Sequence, residues 1–464
     1  MWFLRLATAV AAIALLPAAA AFADPPWSPP ATITAGIPAV SEPTIGFGSS
    51  GLAVLSARLS TEADGFPSHG FTRLFGQQPG GSFAGRARLA LAAPPAPYAA
   101  NRLAFLRVPL AEGDRTIRDS DDPRSSLGYS YGRSGGPLEV SVEAYRRFTT
   151  QADKFSGAIA ANARGDVIAA WVEHLRGRDH LVAAVRGAGG AFGRPAVIGG
   201  SGYFSAVSVA VSPQGDRLVA YQRSTRSARG AVVRRVEARV RRAGHSWGVP
   251  QRLGASSGFS AIDTAAAEGG RMVVAWGTQD GGEEAGTPWI VRAALRGRGV
   301  GAFRSAQELE RSQGVARPAG EVAAALAPDG TATVAWSSIV GTAFPHVYPA
   351  RVATATAGTG SFGAVQTLAP SAAVGDVTTD AQGNALVVAA TLPTPGDNQT
   401  SDQVFASLRP AGAAAFAAPE LVSAPERAHL PRAAFNPVTH QPAVVWVSAP
   451  QGAAHRLRYA VRSG

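Results

Sequence analysis

The sequence predicts an all-β fold, a single β-propeller of four-stranded blades, and three observations support this prediction. First, the stretch Gly165–Trp171 returns as Gly215–Tyr221, Gly270–Trp276 and Gly330–Trp336. Second, further strand-like segments accompany each copy at a period of about fifty to sixty residues, which is typical of propeller blades. Third, the last unit lacks one strand, and the N-terminal segment Trp27–Ile33 has the pattern of that strand.

The repeated stretch is expected to form the second strand of each blade. It opens on a turn glycine and continues through small and β-branched apolar residues to an aromatic ring. A strand that is apolar throughout, rather than alternating, is typical of burial on both faces. We therefore predict that the aromatic rings at this position lie in the core. Four of them are indoles: Trp171, Trp276, Trp336 and Trp446.

The fourth strand of a blade has its own pattern, an aromatic residue followed by a frequent proline and then an aliphatic residue. Phe192–Ile198 and Trp247–Leu253 show it, whereas the final unit, from Leu430, reaches Gly464 without it. Trp27–Ile33 carries the pattern alone near the other end of the chain. The N-terminal strand is therefore predicted to complete the last blade, which closes the ring and protects its edges.

The number of blades depends on the N-terminal third of the chain. Glu42–Leu89 and Pro94–Phe148 are weaker copies of the unit, and counting both gives eight blades. If Pro94–Phe148 is an irregular insertion instead, the count is seven.

The first residues have the pattern of a secretory signal peptide. Arg5 precedes the short apolar run Leu6–Leu16, and Ala21-Phe22-Ala23 offers the small residues that signal peptidase prefers. We expect residues 1–23 to be removed and the propeller domain to span 24–464, in a secreted or cell-wall-associated protein. An uncleaved anchor is the alternative interpretation.

Composition restricts the chemistry that is available to the chain. The formal net charge is +11, and Lys154 is the only lysine among 43 basic residues. For an exported protein this charge favours anionic wall polymers, acidic polysaccharide or lipid headgroups over nucleic acid, although a soluble protein with an arginine-rich composition explains it too. The absence of cysteine excludes thiolate nucleophiles and cysteine-bound zinc. We expect no cofactor.

A binding surface is expected where the long loops between second and third strands gather, because insertions on one face usually carry function. We predict six binding positions there. Trp289 follows Gly286-Thr-Pro288 and is expected to be partly exposed. Glu173 and His174 follow Trp171, and Arg223, Arg226 and Arg229 are assigned to the loop before an arginine-rich third strand. That strand contains Arg234, Arg235, Arg239 and Arg241, followed by Arg242. A solvated outer strand also explains the arginines.

No metal site is predicted. The acidic stretch Asp119–Asp122 has carboxylates suited to Ca²⁺ but lacks the glycine and closing glutamate of an EF-hand, and arginines are interleaved with it. The histidines form no His-Glu-x-x-His motif, and they offer no close pair better than His174 and His180, which stand on either side of a loop.

The blade pattern, with glycines and aromatic residues at fixed offsets, resembles secreted bacterial β-propellers of the sialidase-like type. That family often carries an Asp box between third and fourth strands, and here Thr278–Gly282 matches only its first half. The resemblance implies a sialidase site of three arginines and a tyrosine nucleophile, but no residue of this chain is assigned to those roles. Fold alone does not establish activity.

The sequence therefore predicts a monomeric, non-catalytic binding or scaffold module that meets an extracellular glycan or anionic wall polymer on its long-loop face. No catalytic residue is assigned. The alternative is a secreted glycosidase or lyase with a diverged site, and a third class is a wall-associated structural protein held by its charge.

Overall fold

A computed structural model describes the chain in segments. These are residues 27–34, 39–47, 51–60, 70–77, 81, 83–90, 153–162, 164–175, 178–188, 193–200, 202–227, 230–256, 260–279, 288–312, 322–338, 348–392, 402–449 and 454–463. The predicted signal peptide, Arg229, Asp119–Asp122 and the predicted unit Pro94–Phe148 lie outside the described residues.

The described residues are almost entirely β-strand. The strands of the first half are β1 (Ala31–Thr32), β2 (Ala39–Phe47), β3 (Ala53–Ser60), β4 (Gly70–Gln77), β5 (Phe83–Ala90), β6 (Asp153–Ala161), β7 (Val167–Leu175), β8 (Arg178–Arg186), β9 (Ala196–Val197), β10 (Tyr203–Val211), β11 (Arg217–Arg226), β12 (Val232–Arg241) and β13 (Gln251–Ser256). A single 3₁₀ turn, Glu268–Gly270, follows β14 (Ser260–Ala266).

The remaining strands continue the same alternation. They are β15 (Met272–Gln279), β16 (Trp289–Arg296), β17 (Gln307–Arg311), β18 (Ala323–Leu326), β19 (Ala332–Ser337), β20 (Ala350–Ala355), β21 (Gln366–Ala369), β22 (Ala372–Thr379), β23 (Ala385–Thr391), β24 (Val404–Arg409), β25 (Glu420–Leu421), β26 (Ala428–Phe435), β27 (Pro442–Ser448) and β28 (Arg456–Val461). Within the described segments they form seven four-stranded antiparallel sheets. The predicted all-β class and four-stranded unit are confirmed.

Six sheets are meanders of consecutive strands, and the last sheet has the order β1-β28-β27-β26. Its outer strand therefore comes from the N-terminal segment. Ala31 pairs with Tyr459, and Trp27 forms a bridge with Arg462. The backbone N–H of Ser28 donates to the Val461 carbonyl at 2.8 Å. The two ends of the described chain thus share one sheet.

The first strands of neighbouring sheets contact one another in the order β6, β10, β14, β18, β22, β26, β2. Between successive sheets lie apolar clusters that contain the second-strand rings of Tyr221, Trp276, Trp336 and Trp446. Trp171, Trp276, Trp336 and Trp446 are all buried, which confirms the prediction for them. For β11, β15, β19, β23 and β27, a described sheet covers each face, and this packing explains their continuous apolar runs.

Side chains join the first strands of adjacent sheets. The Asp263 carboxylate accepts the Ala324 N–H at 2.8 Å, and the Asp376 carboxylate accepts the Ala433 N–H at 3.2 Å. Each of these aspartates is a first-strand residue that caps a backbone donor in the next sheet, so buried polar backbone groups find partners between sheets.

Three glutamates join neighbouring sheets by accepting hydrogen bonds from buried indole groups. Glu310, at the end of β17, accepts hydrogen bonds from the Trp336 indole, the Ser338 hydroxyl and Arg351 of the next sheet. A buried indole N–H needs an acceptor, and the carboxylate supplies it without leaving the arginine unpaired.

The other two glutamates act in the same way on the last sheet. Glu426 accepts the Trp446 indole N–H at 2.7 Å. Glu420 accepts the Trp27 indole N–H at 3.1 Å and two Arg462 hydrogen bonds at 2.9 Å. Arg462 holds the pKa of the Glu420 carboxyl below its usual value. One carboxylate of the preceding sheet therefore holds both the first and the last described strand.

Candidate functional site

The hairpin β11–β12 differs from the equivalent hairpins in length. Both strands have ten residues, whereas the second and third strands of the other sheets have six to nine. Its end on the long-loop side, where second strands end and third strands begin, is less buried than the rest of the two strands. We call residues 222–226 and 232–237 the arginine hairpin, because they contain Arg223, Arg226, Arg234 and Arg235.

One face of the arginine hairpin is directed at the β6–β9 sheet and is balanced in charge by a carboxylate. Glu237, 4% exposed, lies 3.5 Å from Arg223 and 3.9 Å from Arg235. The Tyr221 hydroxyl donates to the same carboxylate at 3.1 Å. Burial, and then the Glu237 charge, raise the pKa of Tyr221, which therefore stays a neutral donor. Because Tyr221 is fully buried, its hydroxyl cannot reach a ligand.

The other face of the arginine hairpin carries Ser224, Arg226, Val232 and Arg234. Ser224 pairs with Tyr203 on one side and Arg234 on the other, and Arg226 pairs with Val232. Directly opposite residues of antiparallel strands point to the same face. Within the described residues neither Arg226 nor Arg234 makes an ion pair. A guanidinium group without an ion pair is available to an anion, and its planar donors suit carboxylate, sulfate or phosphate.

The structure corrects the placement of two predicted arginines. Arg223 and Arg226 were assigned to a loop, but both belong to strand β11, which continues to Arg226. The strand continues because its partner β12 also begins early, at Val232. Glu173 and His174 lie near the end of β7 in the neighbouring sheet, opposite His180 and Asp179.

The expectation that Trp289 is partly exposed is wrong. The residue is 2% exposed and packs in the cluster that also contains Trp336. Its indole lies over Gly277, where any added Cβ would overlap the ring. The glycine thus provides the space that lets the first residue of β16 turn inward, away from the loop that precedes it.

Two histidines that are distant in sequence, and that no sequence motif links, meet in the last sheet. The rings of His429 and His455 lie 6.1 Å apart, nearly perpendicular. The His455 Nδ1 accepts the Val40 N–H of the adjacent sheet at 3.2 Å, so a neutral His455 carries its proton on Nε2. Burial lowers the pKa of His429. Aligning the blades in the sequence could have predicted this contact, because the first and third strands of a blade both begin at the long-loop end, where the two histidines lie.

Two strained residues flank His429. Arg427 and Leu430 have φ values of 50° and 52°, and the β26–β27 register shifts between His429 and Arg432. Positive φ in residues other than glycine costs free energy and is concentrated at functional sites. We call His429, His455 and Asp402 the histidine site.

Asp402 joins this site through its backbone. Its carbonyl accepts the N–H groups of Glu426 and Ala428 at 3.1 and 3.2 Å. Its Oδ1 is buried without a hydrogen-bond partner among the described residues. Burial raises the pKa of the Asp402 carboxyl, and the positive charge of Arg427 opposes this shift. A carboxyl group with a raised pKa is suited to giving up a proton in a reaction.

Within the described segments, no three histidine, aspartate or glutamate side chains are grouped so that they could hold a metal ion. Nor does any helix in those segments have the length and hydropathy needed to cross a membrane.

No protein-family model and no curated protein matches the chain. Among solved structures, the NanB sialidase from Streptococcus pneumoniae is 10% identical, with a TM-score of 0.40 over 94% of this chain and 71% of that protein. An α-L-arabinanase from Penicillium chrysogenum is 11% identical, with a TM-score of 0.38 over 66% and 92%. A polysaccharide lyase is 9% identical, with a TM-score of 0.39 over 66% and 76%. Sialidases are thus among the similar structures, as the sequence resemblance predicted. Strand order and pairing, not these similarities, define the fold of the chain.

Proposed function

We propose that this chain is a secreted, non-catalytic β-propeller module that binds an anionic glycan or wall polymer at its long-loop end. The observation that carries the proposal is the arginine hairpin, where four guanidinium groups are accompanied by the single carboxylate of Glu237. A local excess of positive charge on a projecting edge attracts polyanions. The sequence pattern of residues 1–23 supports export, and a mature N-terminus at Asp24 in the exported protein is the result expected from it.

We expect loss of Arg226 and Arg234 together to weaken binding of an acidic polysaccharide such as polygalacturonate about tenfold. Each exposed ion pair contributes up to ~1 kcal/mol, and 1.4 kcal/mol corresponds to a factor of ten. The double variant Arg226→Gln/Arg234→Gln is compared by titration calorimetry with Arg242→Gln/Arg298→Gln, which removes the same charge from exposed residues at the opposite end of the sheets.

Affinity of the unmodified protein should also fall as NaCl is added, because salt screens exposed charges. Equal weakening by the two double variants would show that binding follows net charge alone and not the arginine hairpin.

The architecture that we propose is a closed ring. The chain of contacting first strands runs from β6 to β2, and residues 91–152 connect the two sheets at its ends. We propose eight blades, the eighth from Pro94–Phe148, with the last blade completed by the N-terminal strand; seven blades, with Pro94–Phe148 as an irregular insertion, is the alternative. Counting blades in an experimental density map of the full chain decides between them.

A second candidate function is a secreted glycosidase or lyase with a diverged site, and the histidine site favours it. There, Asp402 would donate a proton to the leaving oxygen. If the unmodified protein cleaves a polysaccharide, Asp402→Asn should lower kcat at least a hundredfold, as loss of a general acid typically does. Asp329→Asn, at the opposite end of the sheets, is the control. Reducing-end and unsaturated-uronate assays on the ligands that bind provide the measurement, and absence of turnover on all of them rejects the enzyme.

A further inference from the structure

The arginine hairpin has an exposed aromatic neighbour on the face where, within the described segments, its arginines make no ion pair. Tyr203 is the first residue of β10 and is 57% exposed. The next residue, Phe204, points the other way and packs against Tyr221 at a ring distance of 5.7 Å. Alternation along the strand therefore places the Tyr203 ring on the same face as Ser224 and Arg234.

These three residues form one row across three strands. Tyr203 pairs with Ser224, and Ser224 pairs with Arg234. At the usual strand spacing, the backbones of Tyr203 and Arg234 lie about 10 Å apart. Arg226 and Val232 form the next row outward, and Val232 is 51% exposed. The face thus presents an aromatic ring, a hydroxyl and two guanidinium groups within the length of a short oligosaccharide.

Among the described residues, the neighbouring β14–β17 sheet meets this row only at its far end, where the buried Ser256 pairs with Arg234. Gln222, one row inward, donates to the Ser256 hydroxyl at 2.7 Å, and Ser256 in turn lies 3.2 Å from the Thr278 hydroxyl of that sheet. Beyond this buried polar network the side chains of the arginine hairpin emerge from the contact between sheets. The change from a satisfied network to exposed polar and aromatic groups marks the boundary of a surface that can accept a ligand.

We propose that Tyr203, Ser224, Arg226 and Arg234 form a subsite for a polysaccharide of uronic acids, an inference that rests on the proposed function. The apolar face of one sugar ring stacks on Tyr203, and the carboxylate of an adjacent ring accepts hydrogen bonds from the Arg234 guanidinium. Ser224 lies between them and bonds a ring hydroxyl. Arg226 receives the next carboxylate along the chain.

The Tyr203 ring is what makes this surface selective for a uronic-acid polysaccharide over other polyanions. A polyphosphate or a glycerol-phosphate polymer would engage the guanidinium groups but has no ring face to cover Tyr203. An aromatic side chain gives a large contact area at a small cost in conformational entropy, which suits it to ring-shaped ligands. A carboxylate beside a sugar ring uses both parts of the row.

The test compares three polymers: polygalacturonate, its methyl-esterified form and inorganic polyphosphate. Tyr203→Ala should weaken polygalacturonate binding about tenfold, whereas polyphosphate binding should change less than about twofold. Tyr203→Phe keeps the ring and should retain the affinity for polygalacturonate. Arg234→Gln should weaken both anionic polymers, and Arg242→Gln should weaken neither. The esterified polymer should bind weakly to the unmodified protein, because its carboxylates are blocked.

A second measurement uses the unmodified protein, so it does not require the Tyr203→Ala variant to fold. In the unmodified protein, the ring resonances of Tyr203, assigned by their loss in Tyr203→Phe, should shift with polygalacturonate and stay in place with polyphosphate. Equal effects of Tyr203→Ala on both polymers, or unshifted ring resonances with polygalacturonate, would overturn the subsite while leaving charge-driven binding by the arginine hairpin intact. If the unmodified protein binds neither anionic polymer, the proposed function itself fails.

Discussion

Replacing Trp336 by alanine should lower the free energy of unfolding by about 3–5 kcal/mol, the usual cost of removing a buried large aromatic side chain. The ring is fully buried and packs among the apolar residues between the β14–β17 and β18–β21 sheets. Its loss also removes one of the donors to Glu310, whose carboxylate keeps Ser338 and Arg351 as partners. Chemical denaturation followed by circular dichroism measures the change.

The matched control is an apolar residue that the sheets do not cover. Leu421 is 60% exposed, and Leu421→Ala should change the unfolding free energy by no more than about 0.5 kcal/mol. A loss below 1 kcal/mol for Trp336→Ala would contradict the burial of the second strands between neighbouring sheets, and with it the explanation of their continuous apolar sequence.

Removing residues 1–34 should destabilise the protein more than any single core substitution. Trp27 is buried in the cluster between the β22–β25 sheet and the last sheet, and its indole bonds Glu420. Without residues 27–34, β28 becomes an edge strand with unpaired backbone groups, and such edges promote aggregation. We expect a loss of more than ~5 kcal/mol, since the Trp27 side chain alone is in the range of 3–5 kcal/mol and the hydrogen bonds between β1 and β28 are lost as well.

The control for this deletion removes only residues 1–26, which leaves Trp27–Thr34 and the β1–β28 pairing in place. Thermal unfolding and size-exclusion chromatography of the two shortened proteins provide the measurement. If both unfold at the same temperature and remain monodisperse, the N-terminal strand does not contribute to the stability of the last sheet.

Much of the fold could be predicted because its determinants are local and repeated. A turn glycine and a run of apolar residues specify each second strand, and the pattern at Trp27–Ile33 identified the strand that completes the last sheet. Trp289 could not be placed in this way. Its local sequence, directly after Pro288, indicates a loop end, whereas its burial depends on the space that Gly277 leaves in the partner strand.

The candidate sites show the same division between local and non-local information. The density of arginines around β12 was visible in the sequence, but the pairing of Arg223 with Glu237 depends on the register of two strands. The same register leaves Arg226 and Arg234 on the opposite face. His429 and His455 come together only because the first and third strands of one blade start at the same end. Charge patterns could therefore indicate the surface, but not which of its residues are free to bind.

The pairing of Trp27 with Arg462 also bears on the order of events during synthesis. The ribosome makes the outer strand of the last sheet near the beginning and its partner near the end, so this sheet is the most delayed contact in translation. Bringing such distant segments together costs loop-closure entropy and slows folding. A polypeptide released before β28 would leave Trp27 without its partner strand, and quality control could recognise the incomplete product by that exposed surface.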